Sequence, residues 1–336
     1  MIEATAQVWN EDCITGMADR LAEGSVHLIV TSIPFEELFT YSGKLEDVGN
    51  NGSTVDIRAG RFALNMRFVA AQMLRVLAPG CNACIHIQQL LAYKNQHGFM
   101  GRRDFRGAMI DVFGAAGFEW KGEFVIPKNP QRLANRLNLH SLQFKTGYAR
   151  SSTNLAPAPN DYVLIFQKPG ETENPVRSIL HETNPEGWLR TDEWVRDASG
   201  VWADIMEIDI LDGSRNRGYK EDTHEKHVCP LQLEVIRRCI QLYTNPVMVQ
   251  PDVKVLDPFM GIGSTAWVSL GASSPCTKLH LAAPRHVLGF ELKESYHRAC
   301  LSNIDKARKQ VAARLAEETN TLFRNFPDTV AEETIA

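Results

Sequence analysis

The run VKVLDPFMGIGST, at 253–265, constrains the fold of this chain more than any other part of its sequence. Val253 to Leu256 predict a short buried strand, the acid Asp257 stands at its end, a turn with glycines follows, and Ser264 begins a helix. This succession is typical of an open α/β sheet, in which ligands bind in a crevice outside the carboxyl ends of the strands. The turn has no Gly-Lys-[Ser/Thr] ending and no third glycine at dinucleotide spacing, so a phosphate loop is not indicated.

A second carboxylate, Glu291, ends the predicted strand HVLGFEL at 286–292. At the tip of the second strand it can accept hydrogen bonds from both ribose hydroxyls of a nucleoside. Asp257 and Glu291 are 34 residues apart, whereas a compact unit separates such groups by about 20 residues. We therefore interpret residues 272–285 as a loop insertion between the helix and the strand.

Strands and helices alternate along the rest of the chain, which predicts an α/β fold with a mostly parallel sheet. The 336 residues suffice for one large domain, or for one domain and a smaller module. The stretch 171–200 shows no regular pattern. Trp188 and Trp194 within it, and Trp202 just after it, suit a hydrophobic core. The predicted strands are 25–30, 84–87, 123–127, 161–166, 253–256 and 286–292, and the predicted helices are 61–78, 106–116, 230–243, 264–270 and 295–315.

The composition excludes some classes of protein. Hydrophobic residues make up 44% and charged residues 23%, with a net charge of −4, so a strongly basic nucleic-acid-binding module is not indicated. An enzyme can still concentrate positive charge on one face. The sequence contains no run of about 18 apolar residues, so no membrane span is predicted. The N-terminus has no signal-peptide pattern. The seven scattered cysteines favour reduced thiols in the cytoplasm, and we predict no metal site.

The segment Thr31-Ser32-Ile33-Pro34-Phe35 follows the apolar strand SVHLIV, and Pro34 ends that strand. Together with DPFMGIGST, it resembles the motifs of the DNA amino-methyltransferases, which methylate cytosine N4 or adenine N6. The cofactor motif of that family is DPFxGxGST and its catalytic motif is [Asp/Asn/Ser]-Pro-Pro-[Tyr/Phe]. SIPF departs from the catalytic motif at one position, where Ile33 replaces the first proline.

Two further segments carry the resemblance. Asn10-Glu11-Asp12-Cys13 matches a family segment near the cofactor. PLQLEVIRR, preceded by His227 and Cys229, looks like the motif that contacts the methionine part of the cofactor. The catalytic motif comes first and the cofactor motif last, which is the permuted order of the family's β class. The resemblance covers roughly residues 5 to 310.

The resemblance implies a Rossmann-like, S-adenosylmethionine-dependent methyltransferase fold: an α/β domain with a mostly parallel seven-stranded sheet flanked by helices, plus target-recognition insertions. It divides the chain into a catalytic half at 1–127, recognition insertions with a returning strand (161–167) at 128–225, a cofactor half at 226–315 and a tail at 316–336. S-adenosylmethionine is the implied cofactor. The implied cofactor-binding residues are Asp12, Cys13, Thr31, His227, Pro230, Leu231, Asp257, Pro258, Phe259, Gly261, Gly263, Ser264, Thr265, Glu291 and Leu292.

The implied chemistry explains the residue types of SIPF. The amino nitrogen of a base is a poor nucleophile because its lone pair is delocalised into the ring. Acceptors on its two N–H groups push the lone pair toward the methyl donor, and the resemblance assigns this role to the Ser32 side chain and the Ile33 carbonyl. Phe35 would stack on a base flipped out of the duplex, and Pro34 completes the catalytic set. The transfer then needs no general base and depends on positioning and desolvation.

Residues 124–160 contain no acidic residue but five cations, which suits contact with the phosphates of double-stranded DNA, the implied partner. Residues 36–60 are polar, and their place after SIPF suggests a loop that closes over the flipped base. A homodimer is one option for the assembly. The resemblance to phage and bacterial enzymes implies a restriction–modification setting in the bacterial cytoplasm. The predicted DNA-binding residues are Lys128, Arg132, Arg136, Lys145 and Arg150.

Three alternatives stay open at this point. A cytosine-C5 methyltransferase needs a thiolate, usually next to a proline, but Pro275-Cys276 lies in the insertion. The same amino chemistry could act on RNA or on a protein glutamine. A degenerate fold could bind DNA without turnover, because Ile33 is atypical. Within the main interpretation, Ser32 at the first catalytic position favours cytosine N4 over adenine N6.

Overall fold

The computed structural model describes residues 3–35, 47–50, 56–132, 149, 157–182, 189–211 and 230–325. In these ranges the short apolar runs form strands, and the segments with apolar residues at helical spacing form helices. The strands are β1 (Ala6–Trp9), β2 (Val26–Ser32), β3 (Leu77–Gln88), β4 (Leu90–Ala92), β5 (Gly101–Arg103), β6 (Glu119–Ile126), β7 (Asp161–Gln167), β8 (Lys254–Asp257) and β9 (His286–Phe290). The helices are α1 (Cys13–Arg20), α2 (Arg61–Val76), α3 (Lys94–His97), α4 (Phe105–Ala116), α5 (Thr191–Asp197), α6 (Leu233–Tyr243), α7 (Ser264–Ser269) and α8 (Glu294–Asn325).

The main sheet has seven strands in the order β1-β9-β8-β2-β3-β7-β6, and β4 and β5 form a separate pair. Neighbouring strands are parallel except around β7, which runs antiparallel to both β3 and β6. This arrangement confirms the predicted mostly parallel seven-stranded sheet flanked by helices.

The strand order brings together two parts of the chain that are far apart in sequence. β2 and β8 are parallel neighbours, with Leu28 opposite Val255 and Ile29 opposite Leu256. The carboxyl ends of parallel strands meet at one edge of a sheet, which is where α/β folds bind their ligands. SIPF follows β2 and DPFMGIGST contains the end of β8, so both motifs lie at that edge.

Two hydrophobic layers cover the two faces of the sheet. Successive side chains of β2 point to opposite faces, so Leu28 and Val30 belong to one layer and Ile29 to the other. Buried residues of α6, α7 and α8 complete the first layer, and those of α1, α2 and α4 complete the second. Because β2 is covered on both faces, its sequence is an almost continuous apolar run.

Several element boundaries differ from the predicted ones; α6, for example, begins at Leu233 and not at Pro230, and the largest differences are at β3 and α8. β3 begins at Leu77 and passes through Pro79 and Gly80, which were expected to lie outside regular structure. Gly80 has a φ of 71° and its N–H donates to the Lys168 carbonyl at 3.0 Å, so this pair bends the strand rather than interrupting it. α8 reaches Asn325, well beyond residue 315. Neither α8 nor any other helix in the described ranges is both long and apolar enough to cross a membrane.

The tryptophans divide between core and surface. Trp202 is 1% exposed and stacks on Phe124 with ring centroids 4.1 Å apart, which confirms its predicted core position. Trp194 is 43% exposed on α5, so its predicted core position is wrong. Trp188 lies outside the described residues.

The insertion 272–285 makes hydrogen bonds to α6 and to the segment around Asp209. The Ser274 hydroxyl donates a short hydrogen bond to the Asp209 carboxylate. At the end of the insertion, the buried Arg285 guanidinium donates to the Thr244 carbonyl at 3.0 Å, and Thr244 caps the C-terminus of α6. A cation at this end of a helix interacts favourably with the helix dipole. The insertion therefore holds α6 and the segment around Asp209 in place.

Candidate active site

A cavity of about 1130 Å³, open to solvent, lies at the carboxyl ends of β2, β8 and β9. All but three of the predicted catalytic and cofactor residues line it. These lining residues are Asp12, Cys13, Ser32, Ile33, Pro34, Phe35, Pro230, Leu231, Asp257, Pro258, Phe259, Gly261, Ser264, Thr265, Glu291 and Leu292. Thr31 and Gly263 lie behind the cavity wall, and His227 lies outside the described residues.

Sequence reasoning missed other residues of the cavity wall. Some of them adjoin predicted residues in the chain, so position alone could have indicated them. Asp47 and Val48 instead come from the polar segment 36–60, where no motif marks them. The missed residues are Glu11, Asp47, Val48, Met260, Ile262, Phe290, Lys293 and Tyr296.

Asp257 ties three parts of the site together from a buried position. Its Oδ1 accepts hydrogen bonds from the Thr31 hydroxyl at 2.6 Å and from the Phe259 N–H at 3.0 Å. Its Oδ2 accepts from the Thr265 hydroxyl at 2.6 Å. Burial raises the pKa of Asp257 to about 6, against the effect of these hydrogen bonds. Thr31 is fully buried, so its predicted contact with the cofactor is corrected: it holds Asp257.

The two glycines of the turn have different roles. Gly261 has a φ of +55°, and a Cβ added there would come no closer than 4.0 Å to another residue, the Phe259 carbonyl. The Gly261 backbone therefore borders open space in the cavity. Gly263 has a φ of +93°, and a Cβ there would lie 2.8 Å from Cys300 Sγ on α8. Close packing of the turn against α8 therefore requires a glycine at this position, and the predicted contact of Gly263 with the cofactor stays a prediction.

Glu291 presents a carboxylate whose orientation is fixed by the backbone. Its Oε2 accepts from the Gly261 N–H and its Oε1 from the Lys293 N–H, both at 2.8 Å. Burial raises the pKa of Glu291 to about 7. Each oxygen keeps a second lone pair. The group can therefore accept two further hydrogen bonds, as the vicinal hydroxyls of a ribose require.

Acidic groups dominate the electrostatics of the cavity. Five carboxylates and one lysine ammonium line it. Asp12 is also the N-cap of α1 and accepts from the Ile14 N–H at 2.9 Å, which fixes its position on the wall. This excess of negative charge suits a ligand that carries a cationic centre and no phosphate.

The four SIPF residues lie on the wall next to the cofactor motif. Ser32 Oγ lies 2.9 Å from His86 Nδ1. The Ile33 side chain is 1% exposed and packs in the core, which explains why an apolar residue can replace a proline there. Phe35 is only 7% exposed, and its ring packs against Phe105 with centroids 6.3 Å apart. Stacking of Phe35 on a base stays a prediction, limited to the part of the ring that borders the cavity.

A second buried acid, Asp161 at the start of β7, lies behind Ser32. Its Oδ2 is 3.1 Å from His86 Nε2 and 2.5 Å from Lys128 Nζ. The Lys128 side chain is 7% exposed and its ammonium is engaged by a buried carboxylate. This arrangement does not favour the predicted contact of Lys128 with DNA phosphate, which stays a prediction. Arg132 is exposed, as its predicted role requires, and Arg136, Lys145 and Arg150 lie outside the described residues.

The comparisons with known proteins agree with this geometry. Residues 26–302 match the family model N6_N4_Mtase, described as DNA methylase. Two solved structures share the fold. TTHA0409 from Thermus thermophilus, in complex with S-adenosyl-L-methionine, is 20% identical with a TM-score of 0.59, covering 90% of this chain and 94% of that one. PvuII DNA methyltransferase (cytosine-N4-specific) is 17% identical with a TM-score of 0.53, covering 91% of each chain.

No curated protein is similar enough in sequence to match the chain. The family match nevertheless spans most of the chain, from the first residue of β2 into α8. It includes both SIPF and DPFMGIGST, the two segments that form the cavity. This chain is therefore a member of the DNA methylase family.

Proposed function

We infer that this protein transfers a methyl group from S-adenosylmethionine to an exocyclic amino group of a base in DNA, with cytosine N4 as the preferred acceptor. One observation carries this inference: SIPF and DPFMGIGST line the same cavity. A nucleophile-holding group and a cofactor-binding group must share one pocket for direct transfer, since the two reacting atoms have to meet.

The cavity fits the cofactor on several counts. Glu291 can accept from both ribose hydroxyls, Gly261 leaves room beside the turn, and the acidic lining suits a sulfonium. The Tyr296 ring, which has Lys293 Nζ 4.6 Å from its centroid, adds an aromatic wall. When bound, S-adenosylmethionine supplies a methyl group that leaves a neutral thioether behind.

The residues of SIPF act on the acceptor. The Ser32 oxygen and the Ile33 carbonyl accept hydrogen bonds from the two N–H groups, which pushes the nitrogen lone pair out of the ring. Pro34 and the bordering part of Phe35 form the apolar wall that excludes water from the reacting atoms. A base inside a duplex cannot reach such a cavity, so we infer that the target base is flipped out.

Two facts support cytosine N4 over adenine N6. Ser32 is the first residue of the catalytic motif, a position at which serine favours cytosine N4 in the related enzymes. PvuII DNA methyltransferase, which shares the fold, is cytosine-N4-specific.

The cytosine-C5 alternative lacks a suitable thiolate in the described part of the chain. Cys276 is exposed in the insertion, does not line the cavity, and donates to the Ile208 carbonyl at 3.5 Å. Cys13 does line the cavity, but burial and then the charge of Asp12 raise its pKa well above its ordinary value. A protonated thiol is a weak nucleophile. We expect Cys276→Ala to methylate DNA at the wild-type rate.

The direct test offers duplex DNA, RNA and protein to the purified protein with radiolabelled cofactor. Mass spectrometry of the nucleosides then identifies the modified base. We expect label in DNA as N4-methylcytosine. Label confined to RNA or protein would show that the acceptor is not DNA. Cofactor binding without label in any of the three would support the degenerate fold.

Variants of SIPF locate the catalytic centre. Ser32→Ala should lower turnover strongly while the Kd for the cofactor is unchanged, because the proposed partner of Ser32 is the acceptor amino group and not the cofactor. Phe35→Leu is a better probe than alanine, since it keeps apolar volume beside Phe105 in the core. Wild-type turnover in both variants would place the catalytic centre elsewhere.

A further inference from the structure

A chain of four side chains leads from the cavity wall into the protein behind Ser32. Ser32 and His86 are paired in the register of β2 and β3, and Ser32 Oγ lies 2.9 Å from His86 Nδ1. His86 Nε2 lies 3.1 Å from Asp161 Oδ2, and Lys128 Nζ lies 2.5 Å from that same oxygen. A hydroxyl on the cavity wall is thus connected to a buried imidazole and a buried carboxylate, which belong to neither motif.

Asp161 sets the direction of these hydrogen bonds. It is 5% exposed, and its Oδ1 accepts from Gln88 Nε2 at 2.9 Å. Burial opposes its ionisation, but the hydrogen bond and charge of His86 and the ammonium of Lys128 hold the pKa of Asp161 below its ordinary value. An ionised Asp161 only accepts, so whenever the His86 ring is neutral its one hydrogen lies on Nε2. His86 Nδ1 is then an acceptor, the Ser32 hydroxyl donates to it, and the Ser32 lone pairs are left for a group in the cavity.

Methylation of an amino group requires the loss of one proton. Once the nitrogen lone pair has become the new N–C bond, the nitrogen carries a positive charge and still holds both of its hydrogens. It becomes neutral only when one of these protons leaves. A hydroxyl alone is a weak base, whereas an imidazole is the side chain that most often serves as a proton acceptor in enzymes. Positioned acid–base groups contribute about 10²- to 10⁴-fold to the rate of such steps.

On the basis of the function proposed above, we propose that His86 takes up this proton through Ser32. The amino proton passes to Ser32 Oγ as the Ser32 hydroxyl proton passes to His86 Nδ1. The amino nitrogen becomes neutral, Ser32 remains a hydroxyl, and His86 becomes an imidazolium beside the Asp161 carboxylate. The ring returns the proton to solvent after the product leaves. Because His86 acts through Ser32, it is a positioning residue. The proposal adds a proton acceptor to the methyl transfer, which the sequence motifs predicted to need no general base.

Lys128 has a defined part in this arrangement. Asp161 contacts the His86 ring, Lys128 Nζ contacts the same carboxylate oxygen, and the Phe35 ring lies against His86 at a centroid distance of 6.4 Å. The ammonium lowers the proton affinity of Asp161, so the proton stays on the ring and does not pass on to the carboxylate. The Lys128 ammonium, at the end of a side chain that is 7% exposed, thereby supports the proton acceptor.

The first test is the rate of a single turnover on DNA, measured across pH. His86→Asn places an amide oxygen near the position of Nδ1. This oxygen can accept the hydrogen bond from Ser32 but takes up no proton. We expect the rate to fall by about 10²-fold and its rise with pH to disappear, while the Kd for S-adenosylmethionine is unchanged. His97→Asn is the matched control. His97 is also a buried histidine, with Nδ1 2.9 Å from the Tyr93 nitrogen and no place on the cavity wall, so both rate and pH profile should be those of the wild type.

Two further measurements separate a proton acceptor from a structural role. Because His86 acts only through Ser32, the double variant Ser32→Ala/His86→Asn should be no slower than Ser32→Ala alone. Nitrogen-15 NMR of the histidine rings in the wild-type protein, which needs no turnover, should show His86 protonated on Nε2 and bare on Nδ1. If His86→Asn fails to fold, this measurement still tests the direction of the hydrogen bonds on which the proposal depends.

The outcomes are distinguishable. A wild-type pH profile in His86→Asn, additive losses in the double variant, or a neutral ring protonated on Nδ1 would each overturn the proposal. Wild-type protein that labels no DNA would overturn the proposed function instead, and the NMR result would still report how Ser32 and His86 share their hydrogen.

Discussion

Burial raises the pKa of the Glu291 carboxyl group to about 7, and this raised pKa predicts how cofactor binding depends on pH. The ionised form is the one that accepts hydrogen bonds from the ribose hydroxyls. Binding should therefore strengthen as the pH rises through 7, and it should release a proton. This sign is the opposite of that expected for a site in which a protonated acid donates to the ligand.

The magnitude follows from the fraction of Glu291 that is ionised in the unliganded protein. With a pKa of about 7, this fraction is roughly one tenth at pH 6 and roughly nine tenths at pH 8. If only the ionised form binds, the contribution of Glu291 makes the Kd about tenfold weaker at pH 6 than at pH 8. The α-amino group of the cofactor titrates near 7.7–8.0, so the wild-type curve alone does not isolate Glu291.

The assay is calorimetric titration with S-adenosylmethionine at pH 6, 7 and 8, on the wild type and on Glu291→Gln. The variant shares the titration of the cofactor's own amino group but has no ionisable side chain at this position. We expect the ratio of its Kd to that of the wild type to grow about tenfold between pH 6 and pH 8. A ratio that stays constant across this range would refute the assignment of Glu291 to the ribose.

Three other perturbations test the remaining features. Asp257→Asn removes an acid whose pKa is raised from 3.8 to about 6. Wild-type stability should fall by about 2 kcal/mol relative to the variant as the pH rises from 4 to 7, which urea titrations can measure. Gly263→Ala, with a Cβ 2.8 Å from Cys300 Sγ, should lower the free energy of unfolding by about 1–3 kcal/mol, which thermal melts can measure. Gly261→Ala should mainly weaken cofactor binding, which calorimetry can measure. Arg132→Ala should lower the slope of log affinity for DNA against log salt by about 0.9, and an unchanged slope would remove Arg132 from the interface.

The sequence was sufficient where a function resides in one continuous segment. DPFMGIGST contains the end of a strand, a turn and the start of a helix, so local pattern identified most of its residues that line the cavity. The Glu291 strand and the SIPF turn were found for the same reason. A family match from residue 26 to 302 then confirmed the family that these segments indicate.

Local pattern failed where a residue's partner lies far away in the chain. Thr31 was expected at the cofactor, yet its hydroxyl holds Asp257, which is 226 residues away. Gly263 was expected at the cofactor as well, yet the packing of α8 requires its lack of a side chain. Lys128 was expected on the DNA, yet Asp161 on a neighbouring strand engages it.

The sequence by itself determined the fold class, both motifs and most of the longer strands and helices, because periodicity and turn residues act within a few neighbouring positions. Only the tertiary structure decided that His86 connects Ser32 to Asp161, residues 54 and 75 positions away from it. The physical reason is the order of strands in the sheet. Pairing of β3 with both β2 and β7 is a collective result of burying two apolar faces, and no single segment contains that information.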